Sequence, residues 1–190
     1  MSKKTVISAV AGGVLTLGLS LSSIAMAAFT SDEATELNAE AKETLEKFQA
    51  NTMGSEEVFA NAKGILVCPT IRKAGLGVGA ERGKCVLTSG ADKPLYYVTS
   101  GLKAGMIVGV ESHSMILVMN TNETLAKFTS GEREWEFGVD ASVAVAKIGA
   151  GGDLDSTNLK KDIVSFIFGS KGLIGDLTWE GSRFKKLDVE

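Results

Sequence analysis

Trp135-Glu136-Phe137-Gly138-Val139-Asp140-Ala141-Ser142-Val143-Ala144-Val145-Ala146 is the stretch that decides the fold. Trp135, Phe137, Val139, Ala141, Val143 and Val145 fall on one face, and the small or polar residues between them fall on the other. An alternation of period two over this length predicts a half-buried strand in a strongly curved or closed sheet. The same period runs on both sides of it. Leu173, Gly175, Leu177 and Trp179 alternate with Ile174, Asp176, Thr178 and Glu180 as a last strand. Ser114–Met119 and Ile65–Cys68 are short apolar strands, the second stopped by Pro69. Leu76-Gly77-Val78-Gly79-Ala80 and Ala104–Val110 place glycine on one face, where a helix, a ligand or a second backbone can approach closely.

Helices precede and interrupt these strands. Thr30 and Glu33 have the spacing of a capping box, and Leu37, Ala41, Leu45 and Phe48 make one apolar stripe. Gly54 is read as the end of that helix, and Ser55 with Glu56 and Glu57 as the start of a second through Ala62. Asn120 and Glu123 are read as capping a third, Glu123 to Thr129, which Gly131 ends. The fold class expected is therefore α+β: N-terminal helices packed on a strongly curved, mostly antiparallel, barrel-like sheet with one inserted helix.

The chain has 190 residues, enough to bury a core without a metal or disulfide framework. Its composition, 44% hydrophobic and 23% charged, excludes disorder as the main reading. A net charge of −3 argues against a nucleic-acid partner. Residues 1–27 read as a secretory signal: Lys3 and Lys4, an apolar run from Val6 to Leu21, then Ala25-Met26-Ala27 as the cleavage site. Ser8, Thr16 and Ser20 within the run favour a removed signal over a retained anchor. The organisation expected is a signal peptide over 1–27, a helical segment over 28–61 and a β-rich domain over 62–190. No cysteine lies near the cleavage site to carry a lipid anchor, so the expected location is periplasmic, as a soluble protein rather than a lipoprotein.

Export bears on Cys68 and Cys85. An oxidising compartment favours a bridge between them, feasible if their apolar runs are neighbours. Two separate buried thiols are the other reading, and spacing leaves both open.

No catalytic constellation stands out. His113 is the only histidine, and as a strand neighbour of Ser112 it points to the opposite face, so it reads as a surface or turn residue. Gly75–Gly79 lacks the helix start and Lys-Ser/Thr ending of a phosphate loop. Asp153 and Asp155 lack a closing Glu for Ca²⁺ and read as a solvated turn, so no metal or cofactor is expected.

The order of phrases carries more. Ala62-Lys63-Gly64-Ile65, Pro69, Lys73 through Gly79 and Gly83 through Leu87 resemble the opening of the SYLF domain. Gly105 to Gly109, Leu125-Ala126-Lys127-Phe128 and Gly138 to Ala146 resemble its middle, and Ser170-Lys171-Gly172-Leu173 with Trp179-Glu180-Gly181-Ser182 its close. The chain thus resembles the SYLF-domain family, in its Ysc84-related bacterial exported branch. The resemblance implies a non-enzymatic lipid-binding protein whose partner is phospholipid or an anionic membrane surface, acting in envelope stress or lipid homeostasis. A structural or protein-interaction module is the alternative.

A lipid site needs an apolar slot beside cations. Phe166 and Phe168 precede Lys171, and Arg72 with Lys73 offer a second cationic contact. The same apolar run, Ile163 to Phe168, also reads as plain core.

Overall fold

The computed structural model describes residues 28–130, 134–136, 143–145, 161–169, 172–173 and 182–190. The signal segment, the middle of the 135–146 run, the turn with Asp153 and Asp155, Lys171 and the phrase from Trp179 to Gly181 lie outside the described residues.

Helix α1 spans Ser31–Asn51. The Thr30 side chain accepts from the Glu33 amide at 3.3 Å, and Glu33 accepts from the Thr30 amide at 3.1 Å, closing the capping box. The helix stops before Gly54, which instead stands at φ +78° as the N-cap of α2. Helix α2 covers only Ser55–Ala60, two residues short of the expected end. Helix α3, Asn122–Thr129, is capped by Thr121 and not by Asn120. The Asn120 side-chain amide donates to the Lys161 carbonyl instead, at 2.7 Å.

Two strands of 25 residues dominate, β1 (Gly64–Thr88) and β2 (Leu95–Met119). They pair antiparallel along their whole length. The remaining strands are β3 (Trp135–Glu136), β4 (Ala144–Val145), β5 (Ile163–Gly169), β6 (Gly172–Leu173) and β7 (Arg183–Leu187). The sheet runs β3-β7-β2-β5-β4, with β1 on β2 and β6 on β5, and forms a half-barrel. Among the described strands all pairings are antiparallel except β4 with β5. The two described ends of the 135–146 run are both strand but join different partners, β3 on β7 and β4 on β5.

Pro69 does not stop the strand. It falls in a register break between Cys68 and Ile71, where a missing ladder donor is tolerated, and its carbonyl accepts from the Ser114 hydroxyl at 2.6 Å. The strand therefore continues, and it doubles back on itself. Cys68 and Cys85 lie 17 residues apart in the chain, a span of roughly 56 Å if extended. Their Cα atoms are 4.1 Å apart and their sulfurs are bonded. The bridge read as one of two options is present, and it joins two limbs of one strand rather than two paired strands.

Glycine makes the fold-back possible. A Cβ on Gly75 would sit 2.5 Å from the Gly79 Cα, and one on Gly83 would sit 2.8 Å from the Thr70 carbonyl oxygen. Around the bend β1 advances from Leu76 to Val78 while its partners on β2 go from Val108 to Ala104. The outer strand has the longer path and takes the extra residues.

The lower part of the sheet is buried on both faces, which explains its unbroken apolar runs. Inside the fold-back, Leu66, Leu87, Met115, Leu117, Met119, Ile163 and Ile167 surround the disulfide. Phe128 of α3 closes this side, 4.9 Å from Tyr97 and 5.2 Å from Trp135 between ring centres. On the other face Val67, Val86, Ile116, Val118, Val164 and Phe166 meet the apolar stripe of α1. Just before α1, the Phe29 carbonyl accepts from the Glu190 amide at 3.0 Å.

Candidate functional site: a charged groove on a folded ribbon

Between α1 and β1 lies a groove of about 440 Å³. On one wall stand Glu33, Glu36 and Glu40 of α1, and on the other Arg72, Arg82 and Lys84 of β1. Arg72, Arg82 and Lys84 share one face of the strand because their spacings are even. They come from opposite limbs of β1, so only the fold-back brings Arg72 near Arg82.

Lys84 is the tethered member. Its Nζ lies 2.6 Å from Glu33 Oε1 and 4.9 Å above the centre of the Phe29 ring. The hydrogen bond from Lys84, and then that from the Thr30 amide, hold the Glu33 carboxyl below its ordinary value. Both arginines are exposed. The planar forks of the two guanidinium groups match phosphate oxygens, while Glu36 and Glu40 on the facing wall oppose an anion within the groove itself.

The predicted site residues do not gather in one place. Arg72 lines the groove. Lys73 lies on the opposite face of the strand, its side chain 15% exposed and its Nζ 4.0 Å from Glu111 Oε2. Phe166 is fully buried, its ring centre 5.0 Å from that of Phe48, so the core reading holds for it. Phe168 is half-buried against the same ring at 5.3 Å. Lys171 lies outside the described residues.

His113, expected at a surface or turn, is 5% exposed within β2. Odd-numbered positions of β2 from Tyr97 to Thr99, and again from His113 to Met119, face inward there. His113, Thr99 and Glu81 are buried polar residues of the two long strands. The Ser182 hydroxyl donates to Glu81 Oε1 at 2.6 Å, tying the start of β7 to β1. Gly101 leaves room for that pair, since a Cβ there would stand 3.1 Å from Glu81 Oε1. Burial pushes the Tyr97 phenol up to about 12. Among the described residues there is no cluster of three or more His, Cys, Asp or Glu that could hold a metal, and no helix long and apolar enough to cross a membrane.

Sequence reasoning missed Arg82 and Lys84. The signal was there in their parity with Arg72, but it acquires meaning only once β1 is known to double back.

A long helix packed on a half-barrel of antiparallel strands, with the short helix α3 inserted, defines a small α+β domain whose open feature is a charged groove. Residues 100–188 match the family model described as Ysc84: Las17-binding protein actin regulator. That stretch of the chain is a Ysc84/SYLF domain. The match starts within β2 and runs through β7, so α1 and β1, which build the groove, precede it. A search of curated proteins finds no match.

Proposed function

We propose that this chain is a non-enzymatic, exported protein that binds anionic phospholipid, working in the periplasm in envelope stress or lipid homeostasis. The observation that carries the reading is the charge of the folded ribbon. Residues 70–84 and 99–113 hold five Lys or Arg and two Glu, within a chain whose net charge is −3. One of those two Glu, Glu81, is buried on Ser182. The ribbon is thus a local cation on an acidic protein, suited to an anionic surface at short range. The Cys68–Cys85 bond supports an oxidising compartment.

Cosedimentation of the mature protein with phosphatidylglycerol-containing vesicles and with pure phosphatidylcholine vesicles tests the reading. Binding should favour the anionic vesicles, weaken with added salt, and fall with Arg72→Glu and with Lys171→Glu while the circular dichroism spectrum persists. Equal binding to both vesicles would discard the electrostatic account. No binding to any phospholipid would favour the protein-interaction module.

A further inference from the structure

The glycine alternation leaves a feature on the outer side of the ribbon that the groove does not use. Cross-strand partners share a face, and the register sets Arg72 opposite Ser112, Ala74 opposite Val110, Ala80 opposite Leu102 and Arg82 opposite Ser100. Leu76 and Val78 have the parity of Arg72 and Arg82. One face of the bend therefore presents Leu76, Val78, Leu102 and Val110, which are 80%, 68%, 79% and 75% exposed. These are four of the six large hydrophobic residues exposed among the described ones, and all four lie around the bend on its convex face. Ala74 and Ala80, also exposed, complete it, and its rim is Arg72, Arg82, Ser100 and Ser112.

We propose that this apolar face inserts into the outer acyl layer of an anionic bilayer while Arg72 and Arg82 stay at headgroup level, which rests on the phospholipid reading above. Apolar side chains ahead of a cationic rim match the order of layers met on entering such a membrane: phosphate outside, acyl chain within. The lengths agree. From Arg72 to Gly77 is five residues, at most ~16 Å of strand, against a headgroup layer of roughly 5–8 Å per leaflet. The tip thus reaches past the phosphates into the first part of the acyl region, the depth usual for interfacial elements. Gly75 and Gly79 at the fold-back make the tip thin, since their backbones touch where other residues would hold side chains apart.

The test uses depth as its readout. Both native cysteines are bridged, so Val78→Cys supplies a single free thiol for an environment-sensitive fluorophore. A label at Asp92→Cys, in the turn between β1 and β2 at the other end of the ribbon, is the control. With phosphatidylglycerol-containing vesicles the label at 78 should shift to the blue and become shielded from an aqueous quencher, and the label at 92 should not. Leu76→Ser combined with Val78→Ser should weaken partition into the same vesicles by roughly ten-fold or more. The circular dichroism spectrum and melting temperature should not change, both positions being exposed. Vesicle binding with the label at 78 still wet would overturn insertion and leave the phospholipid reading standing. No vesicle binding at all would overturn both. A double-serine variant that partitions like the parent but changes from dimer to monomer in sedimentation would assign the face to a second copy of the chain instead.

Discussion

Glycine at 75 and cysteine at 68 and 85 do at the residue scale what no periodicity announces. Gly75→Val would drive side-chain carbon into the Gly79 backbone, which cannot move without opening the bend. The expected loss is about 1–3 kcal/mol, read from chemical denaturation, with Gly90→Val in the outer turn as a comparison where no atom lies within 4 Å. The comparison carries its own cost, because Gly90 has φ +53°. The disulfide closes a short loop across the bend, and Cys68→Ser with Cys85→Ser should cost about 2–4 kcal/mol. Native protein should resist alkylation until reduced, and prompt reaction of two thiols would contradict the bond. Glu33 supplies a pH-dependent contact. Its carboxyl titrates below the ordinary value because of Lys84, so what the pair contributes is present above the unfolded value and lost as pH falls through the folded one. In Lys84→Met the Glu33 carboxyl should titrate closer to normal, as carbon-detected NMR would show.

Helix α1 holds at the element scale through its cap and one aromatic anchor. The ring of Phe48 lies 5.0 Å from Phe166, 5.3 Å from Phe168 and 5.8 Å from Phe59, measured between centres. Phe48→Ala removes the centre of this cluster and should cost about 3–5 kcal/mol. Thr30→Ala loses only the cap and should cost about 0.5–2 kcal/mol. A thermal or denaturant series that ranked them the other way would show that α1 is held by its end rather than its face. The helices were legible in the chain because capping residues and a 3.6-residue stripe are local. Their ends are less legible. Asn120 and Thr121 are both good caps, and only the carbonyl of Lys161, brought in by β5, takes Asn120 away from the role.

For the whole molecule, the export reading predicts that intact mass of periplasmic material begins at Ala28, with Ala-Phe-Thr-Ser-Asp as the first residues. Retention of Met1 on such material would contradict it. Phe29, the residue after that point, pairs with Val189. The sequence by itself determined the class of fold, which residues share a face, and the resemblance that the family match over 100–188 repeats, but neither the course of β1 past Pro69 nor strand β7. Of the candidate site it yielded Arg72 and the glycine alternation, and it put Phe166 where it belongs to the core as readily as to a lipid. Only the tertiary structure decided that β1 folds over on its glycine face, so that the disulfide joins two limbs, Arg72 meets Arg82, and Leu76 and Val78 turn outward. The reason is that alternation is a property of neighbours along the chain, and it says which side chains go together without saying which side faces in. That choice rests on contacts between residues far apart in sequence, and here the backbone packs most closely where side chains are absent, sending the apolar face to the outside.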